Sequence, residues 1–317
     1  MSSKRQYWML VISAALILAV TMGIRNTLGL FVSPLNTSTG LGIVTVSFAL
    51  AIGQFVWGAA QPIFGALADR AGPVQIIALG AVLLALGLAL TPFMHSQLGL
   101  IVFLGIVAAA GAGGGSFSIL MGAAAQRLPP ERRAFASGFI NAGGSFGQFV
   151  FAPLAQALIS VFGWVTALLT LAASALLTIP LALPLRDKHH GGATVHVGGI
   201  SLSEQTLLAF KDRSYWCLHA GFFTCGFHIA FLVTHLPGEV ALCGLPASVS
   251  AASLGIIGLA NIAGSLGVGW LAQTHRMKFL LFWVYGIRAV AIGVYLMVPH
   301  TALTFYIFAL VLGVSWL

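Results

Sequence analysis

Two stretches of this chain, "TMGIRNTLGLFVSPL" (21–35) and "TCGFHIAFLVTHLPG" (224–238), align without a gap at an offset of 203 residues. Thr21 falls on Thr224, Gly23 on Gly226 and Pro34 on Pro237, and Arg25 falls opposite His228. One residue later in phase, "GALADRAG" (65–72) falls on "GWLAQTHR" (269–276), so that Gly65, Leu67 and Ala68 match Gly269, Leu271 and Ala272. Matches in the same order at a nearly constant offset read as a parallel duplication, the sequence mark of a fold built from repeats. Each half also sets a basic or titratable side chain inside an otherwise apolar run. A charge at the centre of a membrane-spanning helix costs about 2.5–3.5 kcal/mol on insertion scales, so packing or function has to justify it.

Composition says that membrane spanning is the right frame. Of 317 residues, 59% are hydrophobic and only 6% charged. Soluble domains carry about 25% charged residues, so this chain cannot cover itself with water-compatible surface. Its apolar segments are about 20 residues or longer, enough to cross a hydrocarbon core of about 30 Å as helices. The net charge of +8 could suggest nucleic acid, but the basic residues are spread along the chain rather than gathered on a binding face. Cys217, Cys225 and Cys243 form no disulfide framework and no C-x-x-C pair. The start, "MSSKRQYWML", is basic then apolar like a signal peptide. Its apolar run is too long and lacks a small-residue cleavage site, so it reads as an uncleaved first span.

Hydrophobic runs place spans at 8–33, 43–67, 74–94, 98–127, 133–160, 163–185, 215–238, 247–273, 279–298 and 301–317. The predicted organisation is a six-helix bundle over 1–185, a polar linker over 186–213 and an incomplete second bundle of about four helices over 214–317. Lys4, Arg5, Arg70, Arg127, Arg132, Arg133, Arg186, Lys188, Lys211, Arg213, Arg276 and Lys278 all fall on alternate connections, whereas "PLNTSTG" and "PHTA" hold no Lys or Arg. That segregation predicts a cytoplasmic N-terminus and linker; the expected location is a bacterial inner membrane.

With these residues in view, the chain resembles the major facilitator superfamily. "GALADRAG" fits the superfamily's G-x-L-x-D-R-x-G signature between spans two and three, and "GFINAGGSFGQFVFAPLAQALISVFGW" (138–164) is similar to the fifth span of the monocarboxylate-porter branch and its bacterial relatives. The resemblance implies an all-α, two-bundle transporter of twelve spans, of which about ten are present. It gives Gly65, Asp69, Arg70 and Gly72 a gating role, with Asp69 braced largely from an eleventh span. Porters of this branch commonly carry an aspartate and an arginine four apart in span eight, and "GLANIAGSLGVG" offers Asn261 and Ser265 there instead. A chain stopping in its tenth span is expected to be a fragment or a truncated gene product.

Polar residues inside the spans need partners or water, and several on shared faces predict a hydrated central cavity. Thr21, Arg25, Gly29 and Ser33 recur at steps of four in span one; Gly221, Thr224, His228 and His235 make a comparable stripe in span seven. Gln54 in span two, with Asn141, Ser145 and Gln148 in span five, extends the polar lining. The predicted binding set is therefore Arg25, His228, Gln54, Asn141, Gln148 and Asn261. The competing reading makes these amides packing contacts, each worth about 0.6 kcal/mol, and lets Arg25 snorkel to the nearer interface. Arg288, ten residues into span nine, reads as structural, capping carbonyls or a residue of further spans. "GAGGGSFS" (111–118) reads as close helix packing, because it follows no strand and so lacks the context of a phosphate loop. His189, His190 and His196 read as flexible linker, not a metal site.

Asp69, Glu131, Asp187, Glu204, Asp212 and Glu239 are the only carboxylates, and all lie at span ends or in connections. A buried carboxylate proton relay is thus absent, leaving His228 or His235 as proton carriers if protons are coupled at all. No nucleophile–base pair or metal-ligand cluster lies within the spans, so neither an enzyme nor a resident cofactor or metal is expected. The expected function is transport of a small organic anion, monocarboxylate-like, by a monomer in a lipid bilayer. The alternatives are a porter or efflux pump for a neutral or amphipathic solute, and a truncated membrane protein that transports nothing.

Overall fold

The computed structural model describes residues 4–186, 207–208, 210–271 and 274–316; the linker histidines His189, His190 and His196 lie outside them. Among the described residues the chain is helical throughout, as hydrocarbon requires of backbone that must bond to itself. In order, α1 is Lys4–Thr39, α2 Ile43–Ala71, α3 Pro73–Phe93 and α4 Gln97–Ala125. A single helical run then divides into α5 (130–162) and α6 (164–185). The later helices are α7 Arg213–Leu242, α8 Ala247–Leu271, α9 Met277–Met297 and α10 Ala302–Val314. The protein is an integral multi-pass membrane protein, and each of the ten predicted spans coincides with one of these helices.

Glycines mark two of the breaks. Gly163 has φ 82° and ψ 161° and interrupts what would otherwise be one helix of 47 residues. Gly72 has φ 97° and alone separates α2 from α3, with Pro73 at the first position of the new helix. Both occupy backbone conformations that an L side chain resists. Within α1, a 3-10 turn at Leu28–Phe31 separates Lys4–Thr27 from Val32–Thr39.

Small residues bring the helices together where oily side chains would hold them apart. Gly143 and Gly147 of α5 lie so close to the backbone of Ala15 and Ala19 in α1 that a Cβ would collide there. The "GAGGGSFS" segment does the same work, because Gly111 and Gly114 press on the backbone of Gly80 and Leu84 in α3.

Two apolar clusters show how the halves meet. One, running from Tyr7 through Ile77, Leu120 and Ile140 to Leu185, draws only on residues before 186 and lies toward the face that bears the N-terminus. The other joins Phe31, Leu35, Val46 and Leu168 to Val233, Val240, Leu254, Phe305 and Leu312, and so belongs to both halves. It lies toward the opposite face. Helix α7 records the change along its length: Phe223 is 75% exposed, whereas Val240 is fully buried. The halves are therefore packed together at one face and parted at the other.

Candidate functional site

Arg25 lies near the end of the regular part of α1, just before the 3-10 turn. Its guanidinium sits 3.8 Å from the centroid of the Trp57 ring in α2. It donates to Oε1 of Gln54, one turn away from Trp57 on the same helix, and to Oδ1 of Asn26 at 3.4 Å. No carboxylate pairs with it among the described residues. The Trp57 indole N–H is buried without an acceptor, so the immediate surroundings of Arg25 hold an unsatisfied donor as well as a positive charge.

The hydrogen bonds continue away from Arg25. Asn26 Nδ2 donates to Gln148 Oε1 at 3.0 Å, and Gln148 Nε2 donates to the Leu254 carbonyl at 3.1 Å. The chain Gln54–Arg25–Asn26–Gln148–Leu254 thus runs from α2 through α1 and α5 into α8. A second link sits beside it, where Asn261 Nδ2 donates to Ser145 Oγ at 2.8 Å and Ser265 Oγ donates to Asn261 Oδ1 at 3.2 Å. Gly258 makes this crossing possible, because a side chain there would strike the Ser145 carbonyl and the Phe149 amide.

A small cavity of about 30 Å³ opens beside Arg25, lined by Gln54, Leu84, Leu104, Ala112 and, from the other half, Val233 and Thr234. That is room for about two water-sized groups. Gly29 packs directly on the carbonyls of Val233 and Thr234, closing the cavity toward the face opposite the N-terminus.

The structure therefore gathers Arg25, Gln54 and Gln148 into one network and seats Asn261 next to it. Asn141 is exposed, farther toward the parted face. His228 is elsewhere. It lies within electrostatic reach of Arg288, its Nδ1 is buried without a partner, and the wall facing Arg25 is made by Val233 and Thr234. Arg288 is 3% exposed; it donates to the Ser315 carbonyl and to Cys225 Sγ, with the Tyr285 ring 5.6 Å away. The regular stripe on α1 does not persist as one polar face. The Thr21 hydroxyl goes to the Ile17 and Gly115 carbonyls, both at 3.0 Å, and the 3-10 turn lies between Gly29 and Ser33. Two contributors escaped the sequence reading, Asn26 and Trp57. Trp57 lies three residues beyond Gln54 on its helix face, so spacing could have flagged it, whereas Asn26, one residue from Arg25, falls off that face and gave no such signal.

Gly65, Asp69, Arg70 and Gly72 stand together at the α2–α3 junction on the parted face. Asp69 and Arg70 are exposed, a Cβ on Gly65 would meet nothing within 4 Å, and Asp69 has no ion pair among the described residues.

The Major Facilitator Superfamily family model matches residues 14–317. The chain belongs to that superfamily. This major facilitator chain is 26% identical over 279 residues to "Monocarboxylate transporter 13" of Rattus norvegicus, a match covering 87% of this chain and 64% of the rat protein. It is 24% identical over 289 residues to the "Oxalate:formate antiporter" of Oxalobacter formigenes, covering 91% of this chain and 68% of that one. Among solved structures, a bacterial homologue of the human lysosomal transporter Spinster in an inward-facing, unoccupied conformation superposes with a TM-score of 0.74 at 17% identity. It covers 99% of this chain and 74% of its own. A D-xylose–proton symporter superposes with a TM-score of 0.65 at 15% identity, covering 98% and 80%. The relatives of this major facilitator chain are transporters and not enzymes.

Proposed function

We propose that this chain moves a small organic anion across a membrane by alternating access, with Arg25 as the anchor. The observation that carries the reading is Arg25 itself: a guanidinium on the wall of a cavity between the halves, without a carboxylate partner among the described residues. Trp57 and Gln54 fix its plane, and a planar fork held in place is suited to bidentate pairing with a carboxylate. The unsatisfied Trp57 N–H favours an acceptor-rich occupant over a cation. The printed substrates of the two transporter relatives, monocarboxylate and oxalate with formate, are anions of this kind.

In this reading 1–185 and 214–317 are the two moving bodies, joined by the 186–213 linker. The network through Gln148 and the contacts of Gly29 and Gly258 are the closed side. Gly65, Asp69, Arg70 and Gly72 border the open side and would re-form contacts when it closes. The charge segregation supports a cytoplasmic N-terminus, which would make the present arrangement inward-open, and the membrane in this reading is a bacterial inner membrane. The protein works as a monomer. Asn141, exposed along the entry route, and Asn261 would meet the solute on its way to Arg25, while His228 serves the packing of the second half.

Proteoliposome uptake of radiolabelled formate, oxalate and lactate, against a cationic and a neutral solute of similar size, tests the reading. Saturable uptake of one or more anions is expected, weakened roughly tenfold in Arg25→Lys, which keeps the charge and loses the fork. Uptake confined to the cation or the neutral solute would overturn it.

A further inference from the structure

The face where the halves meet carries a second constellation. Glu239 and Cys243 lie four residues apart near the end of α7, so they project from one side of the helix. His300 comes from the turn between α9 and α10. One ligand atom from each of these three residues lies within 4.8 Å of the other two. Cys243 and His300 are half-buried.

The imidazole is already oriented. Its Nε2 is 3.3 Å from the Tyr295 carbonyl, and its ring stacks on the Tyr295 ring with centroids 4.6 Å and planes 13° apart. Donation from Nε2 to that carbonyl leaves the lone pair on Nδ1, the arrangement by which protein scaffolds present histidine to a metal. Tyr295 contributes a further sign. Its hydroxyl is buried without a hydrogen-bond partner, and it lies within electrostatic reach of both Glu239 and Cys243.

We propose that Glu239, Cys243 and His300 form a binding site for a zinc-class transition metal that ties the end of α7 to the α9–α10 turn. One oxygen, one sulfur and one nitrogen suit a borderline-soft cation of this class, whereas calcium and magnesium require oxygen-rich sites. Metal–ligand bonds of about 2.0–2.3 Å in a tetrahedron set the ligand atoms about 3.3–3.8 Å apart, so the three groups, now within 4.8 Å of one another, close by roughly 1.5 Å at most. Cys243 releases its thiol proton to solvent as the Sγ–metal bond forms. Water fills the fourth position, and the Tyr295 hydroxyl is placed to hydrogen-bond to that shell. The segment tethered in this way follows Val233 and Thr234 on α7, the residues that close the Arg25 cavity, so the metal stiffens the closed side. The site itself does not rest on the anion reading.

The test uses the purified full chain carrying Cys217→Ser, which removes the exposed thiol far from the site. Zinc is titrated against a chromophoric chelator while maleimide modification of Cys243 is followed. One zinc per chain and at least a tenfold slowing of Cys243 modification are expected, with no slowing by magnesium. Glu239→Gln and His300→Gln should each weaken zinc tenfold or more, and Tyr295→Phe should weaken it by a smaller factor. The proposal is overturned if zinc leaves the Cys243 rate unchanged. It is equally overturned if His300→Gln binds like the parent while His189→Gln with His190→Gln abolishes binding. Because His300 lies in a turn, its substitution keeps the test decisive even where a change at Cys243 harms folding.

Discussion

Two arginines lie inside the spans of this protein, and the structure treats them in opposite ways. Arg288 is sealed into the second half, with one terminal nitrogen donating to the Ser315 carbonyl and the other to Cys225 Sγ, while its Nε is buried without a partner. Arg25 stands on a cavity wall, steadied by neutral partners that leave the charge itself unanswered. Both sit where a charge is expensive. One is enclosed by the second half at 3% exposure, and the other borders a cavity. A buried cation therefore says little by itself; what separates these two is whether the guanidinium borders open space.

The largest effect that could break this contrast is Arg25→Gln. Loss of a charge-assisted contact worth about 1.5–3 kcal/mol should lower anion uptake by roughly 10- to 100-fold, while the amount of protein in the membrane holds steady. Normal uptake by this variant would reduce Arg25 to a snorkelling side chain. Next comes Arg288→Ala, which empties a packed position and strips partners from Ser315 and Cys225. It should destabilise the detergent-solubilised protein by about 3 kcal/mol, read as a fall in melting temperature, with uptake per folded molecule retained. Uptake that falls while the melting temperature stays put would give Arg288 a transport role.

Gln148→Ala sharpens the comparison at the join between the halves. It leaves the Asn26 amide without its acceptor and removes the cross-link to the Leu254 carbonyl, at about 1–3 kcal/mol, and should raise the labelling of a cysteine placed at Thr234. Unchanged labelling would show that Gly29 and Gly258 hold the closed side alone. Asp69→Asn should have the smallest effect, within about 0.5 kcal/mol in a melt, because Asp69 is exposed and without an ion pair among the described residues. A larger shift would reveal a brace for the α2–α3 junction.

The spans were legible because hydrophobic length is a property of consecutive residues, and a ten-helix reading survives ragged ends. The close packing around Gly111 and Gly114 was legible for a similar reason, since a glycine-rich run within an apolar segment has few other uses. The stripe on α1 was misjudged from Gly29 onward. Steps of four hold a face only while the helix keeps its 3.6-residue turn, and the 3-10 turn at Leu28–Phe31 changes the phase before Ser33. The repeat placed His228 opposite Arg25 in the alignment, but such a match fixes position along a helix and not what lies across from it. Arg288, on a helix outside the repeat match, turned out to be its neighbour. Glu239 and His300 are 61 positions apart, joined by a fold that no local pattern encodes.

The seam between α1 and α5 has a mechanical consequence. Where Gly143 and Gly147 rest on the backbone of Ala15 and Ala19, backbone meets backbone with no side chain between to flip or interleave differently, so a shift there meets hard contact at once. They behave as a single stiff rod. Under the proposed alternating access, Asn26 on one and Gln148 on the other would keep their spacing, and a pull on the neighbouring Arg25 would pass through them to the Leu254 carbonyl across the divide.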